Sequence, residues 1–389
     1  MRSAALARLA GAAIITAAAL TMSVAASASA APPAPSVLTG VWCASAANCL
    51  AVGGTDETNT EFSAAHPLAE RWNGKTWRTV PVRLPAGASF GSLLRLACLS
   101  ATWCVAVGYY AKGGVYHELA DFWNGKAWTP TEPSAPGGGP ETHLIDVSCR
   151  SARNCVAVGL ADNGTGVRGI VEKWNGAKWA RVSVPEPADF SDLSSVSCPA
   201  AKFCVAVGGT FAGVLVESWN GTAWRRVSAP SPAPRALSTL TSVSCVSPSN
   251  CVAVGDGDGI GGSGFAETWN GKAWTNARVP WPKGTRSSLL IAVSCASRSY
   301  CAAVGNIGEA PASAANAGRP AVFRWNGRAW ALQPVSALAK GKAGAFSDIF
   351  CRSAADCTAV GDIGPAGSVN ASGLSGFWNG KSWKLVPAI

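Results

Sequence analysis

Charge is scarce in this chain. Only 14% of its 389 residues are Asp, Glu, Lys or Arg. Lys and Arg form no long run, which excludes the basic stripe that nucleic-acid binding requires. Its three histidines, His66, His117 and His143, are too few to complete repeated metal sites. Gly-x-Ser-x-Gly, His-Glu-x-x-His and a phosphate-binding Gly loop are all missing, and with them the common signatures of acyl transfer, zinc hydrolysis and nucleotide binding. Apolar runs of membrane length are missing too, apart from one over 9–26. That run follows Arg2 and Arg8 and ends in Ala28-Ser29-Ala30, a small-residue cleavage pattern. Residues 1–30 therefore read as a secretory signal peptide. Cys43 is the first cysteine, too distant for lipid attachment, and no adjacent Arg pair precedes the run. The mature chain is expected to be secreted and extracellular, with no stable membrane insertion. Loss of Arg2 and Arg8 lowers the formal charge from +10 to +8 (10 − 2), a mild basic bias that favours anionic polymers in a salt-sensitive way.

Cysteine is plentiful, with fourteen residues. In an exported chain they read as a disulfide framework. They fall in pairs with five residues between: Cys43/Cys49, Cys98/Cys104, Cys149/Cys155, Cys198/Cys204, Cys245/Cys251, Cys295/Cys301 and Cys351/Cys357. Each pair precedes one copy of Trp-Asn-Gly-x-x-Trp, beginning at Trp72, Trp123, Trp174, Trp219, Trp269, Trp325 and Trp378. The first cysteines stand 55, 51, 49, 47, 50 and 56 residues apart, a period that indicates a propeller or solenoid. In the fifth repeat, Leu240–Cys245 and Cys251–Gly255 are Val-rich strands, Phe265–Trp269 is a third, and Ala273–Val279 a fourth. Asn270-Gly271 signals a tight hairpin between the last two. The two tryptophans of each motif are expected to pack between neighbouring units.

The reading is an all-β, seven-bladed β-propeller with four antiparallel strands and one disulfide per blade. Its repeats run approximately 37–85, 86–137, 138–188, 189–234, 235–284, 285–338 and 339–389, within a mature domain spanning 31–389. The pattern [Glu/Asp]-x-Trp-Asn-Gly-x-x-Trp resembles the Asp-box of sialidase-type propellers, Ser-x-Asp-x-Gly-x-Thr-Trp. Gly271 and Trp274 fall on its Gly and Trp, whereas Trp269 replaces its Asp. Val-Ser-Cys…Cys-Val-Ala-Val-Gly is similar to the first two strands of propellers of the photosystem II assembly-factor type. The resemblance covers all seven units and speaks to fold, since Asp-boxes are structural turns.

From the second motif Trp to the next first cysteine the spacing is 21, 21, 19, 21, 21 and 21 residues. From the Val-Gly glycine to the next first Trp it is 19, 15, 15, 11, 14, 20 and 17. Variation thus concentrates in the connection between strands two and three, on the face where the resemblance to sialidase-like propellers places active sites. Tyr109-Tyr110-Ala-Lys112-Gly-Gly-Val-Tyr116-His117-Glu118 reads as a loop there, with Tyr109, Tyr110, Lys112, Tyr116 and His117 as candidate ligand contacts. Local ring packing is the structural alternative. Trp281, outside the motif, is a further candidate contact or a core cap. The Asp256–Ser263 loop, with Asp256 and Asp258, lacks the ligand spacing and terminal Glu of an EF-hand and reads as a turn. Glu70, Asp121, Glu172, Glu217 and Glu267 stand two residues before the first motif Trp, with Phe323 and Gly376 in the other copies. A group repeated at one scaffold position reads as structural. No catalytic residue, metal ligand or cofactor is assigned. The expected function is a non-catalytic, monomeric binding or scaffold module for glycan, cell-wall polymer or a surface protein. The alternative is a glycoside hydrolase or polysaccharide lyase of sialidase-like type.

Overall fold

Alternating Val-rich segments, each ended by a turn, build strands and nothing else. The computed structural model describes residues 35–55, 65–133, 141–162, 164–185, 190–231, 238–257, 263–285, 287–308, 318–366, 368 and 370–388. The signal-peptide assignment and Asp258 lie outside the described residues. Among those described there are 28 strands. No helix among them is long and apolar enough to cross a membrane.

In the fifth repeat the strands are Thr239–Ser247, Asn250–Asp256, Gly264–Trp269 and Trp274–Ala277, each paired antiparallel with its chain neighbour. The same up-and-down order recurs over 36–79, 90–131, 141–182, 191–226, 239–277, 287–333 and 342–387. A single bridge, Gly209 to Thr239, joins the fourth and fifth sets into one eight-stranded sheet. Each set is contiguous in sequence, so among the described residues no strand is exchanged between the two ends of the chain. First strands of successive sets touch one another, and that of the first set also touches that of the seventh.

Local chemistry explains the repeat. All seven expected disulfides are present: Cys43–Cys49, Cys98–Cys104, Cys149–Cys155, Cys198–Cys204, Cys245–Cys251, Cys295–Cys301 and Cys351–Cys357. Each staples the turn between strands one and two. In five sets the first motif Trp pins that turn by donating its Nε1–H to a turn carbonyl, as in Trp72 to Ala46 at 3.1 Å and Trp269 to Pro248 at 3.0 Å. The motif turn is looser than the tight hairpin read from Asn-Gly, because Trp269 pairs with Trp274 and leaves Asn270, Gly271, Lys272 and Ala273 between them. Asn270 serves through its side chain: Oδ1 accepts the N–H groups of Lys272 and Ala273 at 2.9 and 3.0 Å. Gly271 takes φ +94°, where a Cβ would press on Ser249 at 2.9 Å.

Seven apolar clusters hold the sets together, each drawing on two neighbours. Leu38, Val41 and Trp77 of the first set pack with Val360 and Phe377 of the seventh. The second motif Trp is buried in every set, at most 6% exposed. Enclosing a ring of that size contributes roughly 4 kcal/mol of transfer free energy. The Ser of Val-Ser-Cys adds a polar rivet. Ser148, Ser197, Ser244 and Ser294 accept the backbone N–H of Cys198, Cys245, Cys295 and Cys351 in the following set, at 3.1, 3.0, 3.0 and 2.9 Å. Where the first and seventh sets meet, Trp42 and Phe350 occupy this position and pack 5.9 Å apart.

Candidate functional site

The connections between strands two and three share one face with the links between sets, since up-and-down order places both opposite the disulfide turns. The tyrosine segment lies here, but it is not a loop. Strands Trp103–Lys112 and Val115–Trp123 run through it and close at Gly113-Gly114, with φ of 62° and 80°. Adjacent side chains of a strand point to opposite faces. Tyr109 therefore turns toward the third set, where it stacks on His143 at 4.5 Å and meets Tyr116 at 5.7 Å. Tyr110 turns toward the first set and stacks on His117 at 5.0 Å. Only 4% of Tyr109 and 3% of Tyr110 is exposed. Burial, reinforced by Glu132, pushes the Tyr110 phenol up to about 12. Tyr116 and His117 are half-buried, and Lys112 is exposed at the hairpin tip. The candidates thus divide between two seams and do not form one patch. Trp281 donates Nε1–H to the Gly264 carbonyl at 2.8 Å and meets Phe323 edge-on at 4.7 Å, the geometry of a core cap.

The most exposed large hydrophobic side chain among the described residues lies on this face and escaped the sequence reading. Phe211, at the tip of the hairpin after Phe203–Thr210, is 62% exposed and stacks on Phe190 at 5.1 Å. The signal was available: this connection is the shortest of the seven, and a Phe at its tip has no core to enter.

The cysteines are scaffold and contribute no reactive thiol. The second of each pair (Cys49, Cys104, Cys155, Cys204, Cys251, Cys301 and Cys357) is at most 4% exposed and belongs to one of the apolar clusters. No cysteine among the described residues is free. Thiol nucleophiles and thiolate metal ligands are thereby ruled out of the site.

The repeated acids sit between sheets. Glu70, Asp121, Glu172, Glu217 and Glu267 are at most 1% exposed. Across the sheet they face Thr79, Pro130, Arg181, Arg226 and Asn276. Where the acid is missing, the partners are apolar: Phe323 faces Leu332 and Gly376 faces Leu385. The room a Cβ would need at Gly376 is taken by the Phe346 ring, 2.8 Å away. Burial pushes Asp121 up to about 7 and Glu267 to about 8; Glu217 reaches about 7 despite Arg226. Arg181 binds both Glu172 and Glu118 of the second set, with Nε to Glu172 at 2.6 Å. Burial together with the Glu172 charge outweighs Arg181 and holds Glu118 at about 7. Burial lowers His143 to about 4, so its 3.4 Å contact with Glu141 joins a neutral imidazole to a carboxylate. A carboxyl group sealed between sheets reaches no substrate.

A second polar group lies where the first strands converge. Every first strand carries a register irregularity. In the second, third and seventh sets the residue after it is Arg95, Asp146 and Asp348, each a charged side chain. Arg95 donates to the carbonyls of Thr39, Leu94 and Ser347, the last at 3.0 Å, and its Nε lies 3.8 Å from Asp348. Asp348 also accepts the Val41 N–H at 2.8 Å, and Asp146 accepts from Ser195 Oγ and Val196 N at 2.7 and 2.9 Å. Burial raises Asp348 to about 6 against the pull of Arg95. Arg95 thereby ties the second set to the first and seventh. No group of three potential metal ligands occurs among the described residues.

No protein-family profile matches the chain, and no curated protein resembles it in sequence. Solved structures do. The chain is similar to YCF48 bound to D1 peptide (TM-score 0.51, 13% identity, 85% of this chain and 91% of that one). It is similar to the GH74 xyloglucanase from Xanthomonas campestris (0.54, 14%, 91% and 55%). It is also similar to a PL25 ulvan lyase (0.54, 9%, 87% and 91%). Identities this low show the fold alone: a β-propeller of repeated four-stranded sheets, stapled by disulfides that belong to an oxidising compartment.

Proposed function

We propose that the chain is a seven-bladed β-propeller, one blade per strand set, and acts after export as a non-catalytic binding or scaffold module. Its ligand class is a glycan, a cell-wall polymer or another surface protein. The observation that carries this is the placement of the acids. The carboxylates that repeat through the chain, with Glu118, are enclosed between blades, where they serve packing and are out of reach of a substrate. Exposed among the described residues on the variable face are an aromatic, Phe211, a cation, Lys112, and a single non-repeated acid, Glu132. The fold accommodates such a role: among its relatives in shape, YCF48 is seen with a peptide, and the xyloglucanase and ulvan lyase are named for glycans. The proposal includes removal of residues 1–30, a monomeric mature chain and contacts from Tyr116, His117, Lys112 and Trp281, with Tyr109 and Tyr110 supporting them from within the blade.

The test is incubation of the mature protein with polysaccharides and bacterial cell walls, scoring co-sedimentation and new sugar ends in the same tubes. Binding without cleavage supports the module. Cleavage would overturn it in favour of a glycoside hydrolase or lyase and direct attention to acids at the variable face, such as Glu132 and Asp162.

A further inference from the structure

The sixth set carries a cleft of about 660 Å³ on the side of the variable face, between its outer strands and the chain leading to the seventh set. Ile307, Pro320, Leu332 and Val335 provide apolar walls, and Arg319 and Lys342 stand at the cleft as cations. Both cations are exposed, and neither makes an ion pair with any described residue. Leu332 is one of the few exposed large hydrophobic side chains, at 37%. It belongs to Trp330–Gln333, the fourth strand of its sheet, which pairs with Gly318–Trp325 on one side and, among the described residues, with no strand on the other.

We infer that this cleft binds an extended acidic peptide segment of a partner protein, an assignment that rests on the binding role above in its protein-partner form. Three features select that occupant. Two cations without an ion pair among the described residues call for carboxylates. Aliphatic walls call for aliphatic side chains, which an inorganic polyanion lacks, and no aromatic ring lines the cleft to serve as a platform for a sugar. The open edge of Trp330–Gln333 offers backbone donors and acceptors to an added strand. An extended chain presents alternate residues to opposite sides, so apolar and acidic residues in alternation meet the wall and the cations together.

The test uses the full mature chain and a fluorescently labelled synthetic peptide alternating Val and Glu, with a Val/Lys peptide as its counterpart. Anisotropy titration is expected to show binding of the acidic peptide alone. The Arg319→Ala/Lys342→Ala double variant should weaken it by about ten-fold or more, and added salt should weaken it further. Both substitutions are at exposed side chains, and an unchanged Tm verifies folding. Equal binding of the two peptides, or undiminished binding by the double variant, would overturn the assignment. So would cation-dependent binding of polygalacturonate without peptide binding, which would make the occupant a uronate polymer. The double variant is also carried through the co-sedimentation assay. Glycan binding by wild type without peptide binding sinks this inference and leaves the module intact, whereas glycan cleavage sinks the module and leaves the peptide result to be read separately.

Discussion

Replacing Glu267 by Gln should flatten the pH dependence of stability. Glu267 is fully buried, and neither of its carboxyl oxygens has a hydrogen-bond partner among the described residues. Burial raises it from 4.5 to about 8 in the folded chain. Between those values the folded state holds a proton that the unfolded state releases, so stability falls as pH rises. Each pH unit within the window removes about 1.4 kcal/mol, or about 4 kcal/mol between pH 5 and 8. Gln has nearly the same shape and no proton to release. Near pH 4.5 the variant should therefore match wild type, and by pH 8 it should be the more stable protein. Thermal melts followed by near-UV circular dichroism, with disulfides intact, compare the two at half-unit steps from pH 4.5 to 8. Parallel profiles for Glu267→Gln and wild type would refute the reasoning, because they would mean that Glu267 titrates alike in both states.

Ser244→Ala removes the acceptor for the Cys295 N–H and should cost about 1 kcal/mol in chemical denaturation, while the same change at exposed Ser249 should cost almost nothing. Arg95→Ala deprives three carbonyls and Asp348 of their donor where the first and seventh sets meet, so a loss of about 3 kcal/mol is expected; an unchanged Tm would show that the apolar seam alone closes the ring. Gly271→Ala forces a Cβ into φ +94° and should destabilise by about 1–2 kcal/mol, measured by the denaturation midpoint. Removing one disulfide with Cys245→Ser/Cys251→Ser should cost about 2 kcal/mol, as closing so short a loop implies, and a negligible change would show that pairing across Cys245 and Cys251 already fixes the turn.

Whatever depends on residues close in sequence was legible from the amino-acid order alone. The Cys pairs are six positions apart and lie opposite each other across a turn, and Asn270 caps its own loop, so spacing determined the staples and the strand order. The motif tryptophans were legible as packing residues because they recur. What the tertiary structure decided involves partners a whole repeat or more away. Ser244 reaches the N–H of Cys295, and Val41 donates to Asp348 across almost the full length of the chain. Arg95 occurs once, at a position that is Gly40 or Asp146 in other repeats, and its importance comes from the convergence of first strands from different sets. The tyrosine segment shows the same divide at short range. Composition grouped Tyr109 with Tyr110, but the Gly113-Gly114 turn continues the strands through them, and strand alternation sends the two rings to different seams. A sequence states neighbours along a line, and the direction a side chain takes from that line depends on the sheet that forms around it.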